Sequence, residues 1–408
     1  MAQNDRCDVV IAGGGVAGLG LALALRTALG GSLSVTLCDP ALASSGRRDG
    51  RAFAFAAGPR RMLEALGAWV DVAPHAQPIL DMIVTDSRVA DPVRPVFLTF
   101  AGEVEPGEPF AHMVEHADLL SALEARCRAT GVVLRAEAVA SAVPQGGFTR
   151  VTLAGGAVID ASLAVACDGA RSPLREAAGI GTVGWAYRQS GIVATIGHER
   201  PHEGRAEEHF LPSGPFAILP MTGLRSSIVW TERSDAVEAL LGLDDEDLLD
   251  EIERRFGLHR GRLSLLGRPR AYPLSFAIAR RFAGDRLALV GDAAHVIHPI
   301  AGQGLNMGLR DAAALAEAIC DAAALGLDPG GPTVLEAYTK ARRFDTVMMG
   351  AVTDGLNRLF ATDSTPARML RDLGLGVVDR LPALKSRLIR EAAALSGGMP
   401  RLLRGEML

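Results

Sequence analysis

The chain has 408 residues, is 49% hydrophobic and 22% charged, and carries a formal net charge of −5 with a pI near 6.0. That length accommodates roughly two to three domains around a sizeable core, and the mild acidity gives no signal for nucleic acid or another polyanion as a partner. Five cysteines, Cys7, Cys38, Cys127, Cys167 and Cys320, are odd in number and form no C-x-x-C pair. They point to reduced, buried thiols in the cytoplasm rather than to a disulfide framework. No run reaches the ~18 apolar residues of a membrane span, and no signal peptide is expected, because the first apolar stretch belongs to a glycine-interrupted unit.

Cys7–Ala12 reads as a strand, and Leu19–Leu29 as a helix. Between them Gly13, Gly15 and Gly18 supply G-x-G-x-x-G, with Ala17 inside the pattern. A second strand, Ser34–Cys38, ends at Asp39. This is a complete βαβ unit with an acid about 20 positions after the last glycine, the form of a dinucleotide site. The glycines permit a tight turn and close approach to a pyrophosphate, the helix N-terminus faces the phosphates, and Asp39 is placed to bind a ribose.

An arginine-rich loop, RRDGRAFAF, then carries Arg47, Arg48 and Arg51; it is either a solvated basic loop or places Arg51 beside the pyrophosphate. A helix is expected around Pro59–Leu66. Residues 78–110 look irregular, with strand-like pieces MIVT and VFLTF. His112-Met113-Val114-Glu115-His116 matches H-x-x-E-H, a zinc-protease pattern when helical. Here it follows Pro109 and precedes a helix spanning Asp118–Cys127, with Asp118 as its expected N-cap. Extended backbone would hold the two histidines over ~13 Å apart, so no metal is assigned. Val132–Val143 and Val151–Leu153 read as strands of a hairpin-like region. Leu163–Asp168 reads as a buried strand leading into Gly169-Ala170-Arg171-Ser172. Residues 190–232 contain GIVATIG, EHFLP, FAILP and SSIVW between glycine and proline turns, the pattern of an antiparallel sheet. Residues 235–256 are acidic and helical, and RAYPLSF returns as a strand.

The stretch from Arg286 to Glu317 opens with an apolar strand, Leu287–Val290, broken by Gly291-Asp292. A loop with Pro299, Gly302 and Gly304 follows, and then Leu305, Leu309, Ala312, Ala313 and Ala316 recur at helical spacing. Strand, glycine-rich loop and helix start form the parts of an anion or phosphate site. Asp292 has no basic neighbour in sequence and suits a ribityl or ribose hydroxyl. The bland alternative is an αβ turn with a capping aspartate. His295 and His298 read as residues packed on a cofactor, not metal ligands. From about Val334 the chain is mostly helical, with breaks at Pro366 and Pro382. There Leu370, Leu373, Val377, Leu381, Leu384 and Leu388 recur at spacings of three and four, among Arg368, Arg371, Arg380, Lys385, Arg387 and Arg390. Such a stripe suits an anionic interface, or a helix pair packed on the core or another subunit.

Gly13–Gly18, Asp168-Gly169 with Arg171 and Ser172, and Gly291-Asp292 resemble the three fingerprints of the class A, para-hydroxybenzoate hydroxylase-like, FAD-dependent monooxygenases. RAFAFAAGPRRMLEALGAW, the stretch from Gly191 to Met221, SSIVWTE and the stretch from Tyr272 to Asp311 look more specifically like the ubiquinone-biosynthesis aromatic ring hydroxylases. The likeness covers most of the chain and is weakest over residues 71–108. The first fingerprint usually ends in glutamate, and this chain has Asp39.

The resemblance implies an α/β fold: a Rossmann-like FAD-binding domain (1–75, 110–180 and 277–330), an inserted substrate domain on an antiparallel sheet (76–109 and 181–276), and a helical C-terminal region (331–408). It implies that Gly13, Gly15, Ala17 and Gly18 meet the FAD pyrophosphate and that Asp39 holds the adenosine ribose. Arg51 would lie near the pyrophosphate and NAD(P)H, and Val139 against the adenine. Asp168 and Gly169 would serve FAD and NAD(P)H, and Asp292 the ribityl chain. Pro299, Gly302, Gly304, Leu305 and Asn306 would line the isoalloxazine. The implied reaction uses NAD(P)H and O2, through a C4a-hydroperoxyflavin, to hydroxylate a polyprenylated phenol of ubiquinone biosynthesis. The resemblance names no catalytic base; Tyr187, Tyr272 and His209 are candidates by position only. It leaves open a same-fold hydroxylase of another aromatic, or a non-catalytic flavoprotein component of a biosynthetic complex. It also leaves open peripheral contact with the inner face of the cell membrane, a complex with other ubiquinone-biosynthesis proteins, and a homo-oligomer.

Overall fold

A computed structural model of the chain describes residues 5–44, 50–86, 89, 96–101, 103–360 and 398–408. The first third runs β1 (Asp5–Ala12), α1 (Val16–Leu29), β2 (Val35–Cys38), β3 (Ala52–Ala56), α2 (Ala57–Ala65), a single turn α3 (Trp69–Val72), β4 (Gln77–Ile79), β5 (Asp81–Asp86) and β6 (Val96–Ala101). Two short strands, β7 (Glu103–Glu105) and β8 (Glu108–Pro109), precede β9 (Ala111–Glu115) and α4 (His116–Ala129). Then come β10 (Val133–Arg135), β11 (Val139–Pro144), β12 (Thr149–Leu153), β13 (Val158–Ala166) and α5 (Pro173–Ala177). The long strands β14 (Thr182–His198), β15 (Arg205–Leu211), β16 (Gly214–Met221) and β17 (Arg225–Arg233) follow, with α6 (Ser234–Leu241) and α7 (Asp245–Phe256). The chain returns through β18 (Leu263–Leu265), β19 (Arg270–Ala279), β20 (Ala283–Gly284), β21 (Leu287–Leu289) and β22 (His295–Val296) to the helices α8 (Gln303–Ala324) and α9 (Pro332–Phe360).

The first sheet has the order β10-β2-β1-β13-β12-β11, with β21 beside β13. Its middle is parallel: β1 pairs with β2 and β13, and β13 with β21. Parallel strands covered on both faces require continuous apolar runs, and Val9, Val10, Ile11, Leu163, Val165 and Leu289 are all essentially inaccessible. One core joins these strands to α1, α4 and α8. The strand expected at Leu163–Asp168 is longer and begins earlier: β13 starts at Val158 and ends at Ala166. Its first half pairs antiparallel with β12 and its second half parallel with β21. Only the second half is apolar on both faces, so only that half stood out as a buried run.

The second sheet has the order β22-β19-β14-β17-β16-β15-β5-β6 and is antiparallel except for the β15–β5 pair. Residues 190–232 form it as expected. The region from 78 to 110 is more regular than its sequence suggested, since β5 pairs with both β15 and β6. One sheet face packs on α6 and α7 through Trp230, Phe216, Ile252 and Phe256. A small sheet, β3-β9-β4, contacts β16 of the second sheet and α8. The H-x-x-E-H residues lie in β9 and at the start of α4, so the segment is extended as expected. Asp118 is not the N-cap: α4 begins at His116, with Glu115 at the N-cap position and no side-chain cap. β9 turns directly into the helix, which leaves Asp118 in the first turn, where its charge favours the positive end of the helix.

Candidate active site

Two helix starts define the dinucleotide cradle. Gly13 has φ +112, and a Cβ there would lie 2.1 Å from the Cys167 carbonyl oxygen. A Cβ on Gly18 would lie 2.1 Å from the Gly13 carbonyl oxygen. Only glycine fits either place. A Cβ on Gly15 would meet nothing within 4 Å, so this glycine borders open space. Gly15 is the N-cap of α1, and no side chain caps the helix. The second start is α8: Gly302 is its N-cap at φ +61, again without a side-chain cap, and a Cβ on Gly304 would also meet open space. The helices touch near these ends, with Ala17 and Gly291 packed on Gly308. Two uncapped N-termini beside open space offer N–H donors and partial positive charge to an anionic or polar ligand.

The acids around the cradle differ in their bonding. Asp39 Oδ2 accepts from the Gly14 N–H at 2.6 Å and Oδ1 from the Ala41 N–H at 2.7 Å, so Asp39, expected to bind the ribose, also braces the glycine turn. One oxygen of Asp168 accepts from the Leu174 N–H at 3.3 Å; the other is buried with no partner among the described residues. Burial raises the Asp168 carboxyl above its ordinary range. An orphaned buried oxygen of this kind calls for a donor, and a ribose or ribityl hydroxyl has one. Asp292 is exposed by area, yet protein surrounds it closely enough to raise its carboxyl, against the field of His295 and Arg51. Val139 opens β11, close in the chain to β10, whose Arg135 carbonyl accepts from the Asp39 N–H at 3.0 Å. These donors, acceptors and open glycines fit a dinucleotide such as FAD.

Sequence reasoning missed the group that holds Gly291-Asp292 in place. Asp311, on α8, is fully buried and accepts from the Gly291 N–H (3.0 Å), from His295 Nε2 (2.6 Å) and from Arg342 Nε (2.6 Å). Burial opposes its charge; His295 and Arg342 outweigh that and hold the carboxyl below its usual range. His295 is thus a clamp residue. The one sequence signal was an aspartate on an otherwise apolar helix face. Asn306 does a similar job for the loop before α8: its Oδ1 accepts from the Ala56 N–H at 3.0 Å, and its Nδ2 donates to the Ala54 and Gly302 carbonyls. His298 is buried, which lowers it to about 4; its Nδ1 accepts from the Ile300 N–H, so it is neutral.

A cavity of about 340 Å³ lies between β3, the second sheet and the Pro299–Asn306 loop. Its walls are mostly apolar: Ile79, Met82, Phe110, Val193, Leu219, Val229 and Leu274. Arg51 stands on its wall, with its guanidinium 5.6 Å from the Phe53 ring and 5.8 Å from the Tyr272 ring. Its field reaches Asp292, so Arg51 lies between the cradle and the cavity. Of the three positional candidates for a base, only Tyr272 lines this cavity. Tyr187 donates to Asp354 at 2.9 Å and packs on His298. His209 bonds Thr85 Oγ1 at 2.8 Å and faces Glu207, on the opposite side of β15. The carboxyl that does line the cavity is Glu208, which the sequence reading passed over.

A family model described as an FAD binding domain matches residues 6–349. The ubiquinone hydroxylase UbiL of Rhodospirillum rubrum is 45% identical over 403 residues, which is 98% of this chain and 92% of that protein. The 3-demethoxyubiquinol 3-hydroxylase of Escherichia coli is 31% identical over 396 residues, 96% of this chain and 100% of that protein. Among solved structures, the p-nitrophenol 4-monooxygenase PnpA of Pseudomonas putida aligns with a TM-score of 0.77 at 20% identity, covering 97% of this chain and 99% of that one. That likeness concerns the fold.

Proposed function

Because the chain belongs to the FAD binding domain family of flavin-dependent aromatic monooxygenases, we propose that it hydroxylates the aromatic ring of a polyprenylated phenol in ubiquinone biosynthesis. The observation that carries this reading is the position of the cavity. It is apolar, it is bounded on one side by the Pro299–Asn306 loop at the start of α8, and on another by Arg51.

When bound, FAD reduced by NAD(P)H supplies the activation of O2 for transfer of one oxygen atom. The chain's own residues do the rest. Gly15 and the α1 N-terminus take the pyrophosphate, Asp39 and Asp168 take hydroxyls, and Asp292, held by Asp311, takes the ribityl chain. The α8 N-terminus, at Gly302 to Asn306, would hold the isoalloxazine end of the cofactor and would favour negative charge there. Arg51 adds positive charge between cofactor and cavity. The apolar walls keep bulk water from the reacting atoms. A cavity of about 340 Å³ is at the small end of ligand sites; it has room for a substituted ring and the first part of a tail.

In this reading residues 1–75, 110–180 and 277–330 bind FAD, residues 76–109 and 181–276 bind substrate, and residues 331–408 are the C-terminal region, of which 361–397 lie outside the described residues. Among the described residues no helix is long and apolar enough to cross a membrane. A bilayer-soluble substrate is therefore met at the membrane surface or through a partner protein.

The test is product analysis. The FAD-loaded protein, given NAD(P)H, isotopically labelled O2 and a short-chain prenylated phenol, should yield a ring-hydroxylated product carrying one labelled oxygen. NAD(P)H consumption that gives only hydrogen peroxide with every prenylated phenol, but hydroxylation of a soluble aromatic, would move the substrate class. Absence of flavin reduction by NAD(P)H would make the protein a non-catalytic flavoprotein.

A further inference from the structure

β15 alternates its side chains across the sheet. Glu207 and His209 point to one face, where Glu207 bonds Arg260 at 2.8 Å and His259 at 2.9 Å. Glu208 points to the other face, into the cavity. Register sets Ala217 of β16 and Val84 of β5 directly opposite it, and neither can bond it. Thr231 and Val229 of β17 and Leu274 of β19 continue the same wall. The titratable groups that face the cavity from its other sides are Arg51, before β3, and Tyr272, on β19. Glu208 is 6% exposed, and no group among the described residues bonds or pairs with it.

A carboxyl buried in an apolar chamber without a partner is costly to keep for stability alone. We propose that Glu208 is the general base of the hydroxylation and takes the phenolic proton of the ring held in the cavity. The inference rests on the proposed function, since it needs a phenol in this chamber. The phenolic O–H bond breaks, and a new O–H bond forms on the Glu208 carboxylate. The electron pair left on the phenolate oxygen delocalises into the ring, and the activated carbon forms its C–O bond with the oxygen atom derived from O2. That carbon then loses its hydrogen as a proton. This proton, the hydride of NAD(P)H with its two electrons, and one proton from solvent supply the hydrogens of the new hydroxyl and of the water formed from the second oxygen atom. Glu208 returns its proton to the product oxygen, and the carboxylate is regenerated.

The surroundings suit the task. Burial pushes the Glu208 carboxyl up to about 8. A phenol ionises near 10, so a carboxylate at its ordinary 4.5 would leave it almost wholly protonated. A base closer to the phenol and to working pH transfers the proton far more readily.

Wild-type, Glu208→Gln and Glu208→Asp proteins, loaded with FAD, are compared for hydroxylated product per NAD(P)H consumed from pH 6 to 10. Glu208→Gln should lose roughly 100-fold in product formation at pH 7, release hydrogen peroxide instead, and recover as the pH nears the phenol's own ionisation. Glu208→Asp should retain a pH limb. A second measurement needs no turnover: in the absence of NAD(P)H, the absorbance of bound p-nitrophenol reports its ionisation. Below neutral pH, where this phenol is protonated in solution, the bound phenolate should form in the wild type and be lost in Glu208→Gln. Wild-type product yield and an unchanged pH limb in Glu208→Gln overturn the proposal. A wild-type protein whose flavin NAD(P)H does not reduce overturns the functional reading itself, a separate and visible outcome.

Discussion

Asp292 and Glu208 are carboxyls at two sides of one site, and their surroundings give them different work. Asp292 lies open beside the cradle, with its turn fixed by Asp311; Glu208 faces an apolar chamber. Replacing Asp292 with Ala removes a polar partner that FAD would otherwise bury, a loss of about 1–3 kcal/mol in binding. Equilibrium titration of the apoprotein with FAD checks this, and unaltered affinity would show that Asp292 does not touch the cofactor. For Glu208 the sign of the linkage can be worked out. Its folded value, about 8, lies above its ordinary 4.5. Below the ordinary value both folded and unfolded states are protonated and nothing is lost. As pH rises from there to about 8 the unfolded state ionises and the folded state does not, so stability falls. Glu208→Gln should therefore match the wild type near pH 4 and exceed it progressively toward pH 8, with the difference levelling off above that. Thermal unfolding of the two proteins across that range measures the effect; parallel curves would mean that Glu208 is solvated.

At the scale of elements, α8 connects the most parts. It presents an uncapped N-terminus at Gly302, packs on α1 at Ala17 and Gly308, and carries Asn306 toward β3 and Asp311 toward Gly291. Asp311 also ties α8 to α9 through Arg342, whose second contact is Asp345 at 2.6 Å. Asp311→Ala leaves Arg342 buried without its main counter-charge and frees the Gly291 N–H. A destabilisation of about 3–5 kcal/mol is expected, measured by denaturant unfolding, together with weaker FAD binding; a loss under about 1 kcal/mol would mean that the network relaxes around the gap. The same elements show what could be read in the sequence. The unit β1–α1–β2 was legible because its determinants are local: glycines that only a tight turn requires, an apolar run, and Asp39 at the strand end. The loop before α8 was legible for the same reason. Asp311 and Arg342 are 31 positions apart, and no local pattern joins them. Glu208 and His209 are adjacent, and choosing between them requires knowing which face of β15 meets the cavity. That depends on pairing with β16 and β5, which only the folded sheet provides. Among the base candidates, position in the sequence therefore brought Tyr272 to the cavity and not Tyr187 or His209.

The whole molecule poses a question of access, because a polyprenylated phenol resides in the bilayer and no helix among the described residues is long and apolar enough to cross one. The basic, leucine-rich stripe from Arg368 to Arg390 lies outside the described residues, so its argument rests on sequence: apolar residues at spacings of three and four with cations among them suit an anionic surface. Within the described residues, α9, which leads toward that segment, exposes Phe344, Met348 and Val352 at helical spacing, Phe344 to 76%. Each cation near an anionic surface contributes about 1 kcal/mol and is screened by salt. The full-length protein should therefore float with anionic vesicles at low salt and lose most of that binding at high salt. Changing Arg380, Lys385 and Arg387 to Glu removes three attractions and adds three repulsions. It should abolish flotation while leaving FAD content and NAD(P)H-dependent flavin reduction unaltered, since none of these residues belongs to the proposed cofactor or substrate site. Flotation that ignores both salt and the triple substitution would place the contact on apolar surface alone. No flotation at all would leave a partner protein to carry the substrate to the cavity.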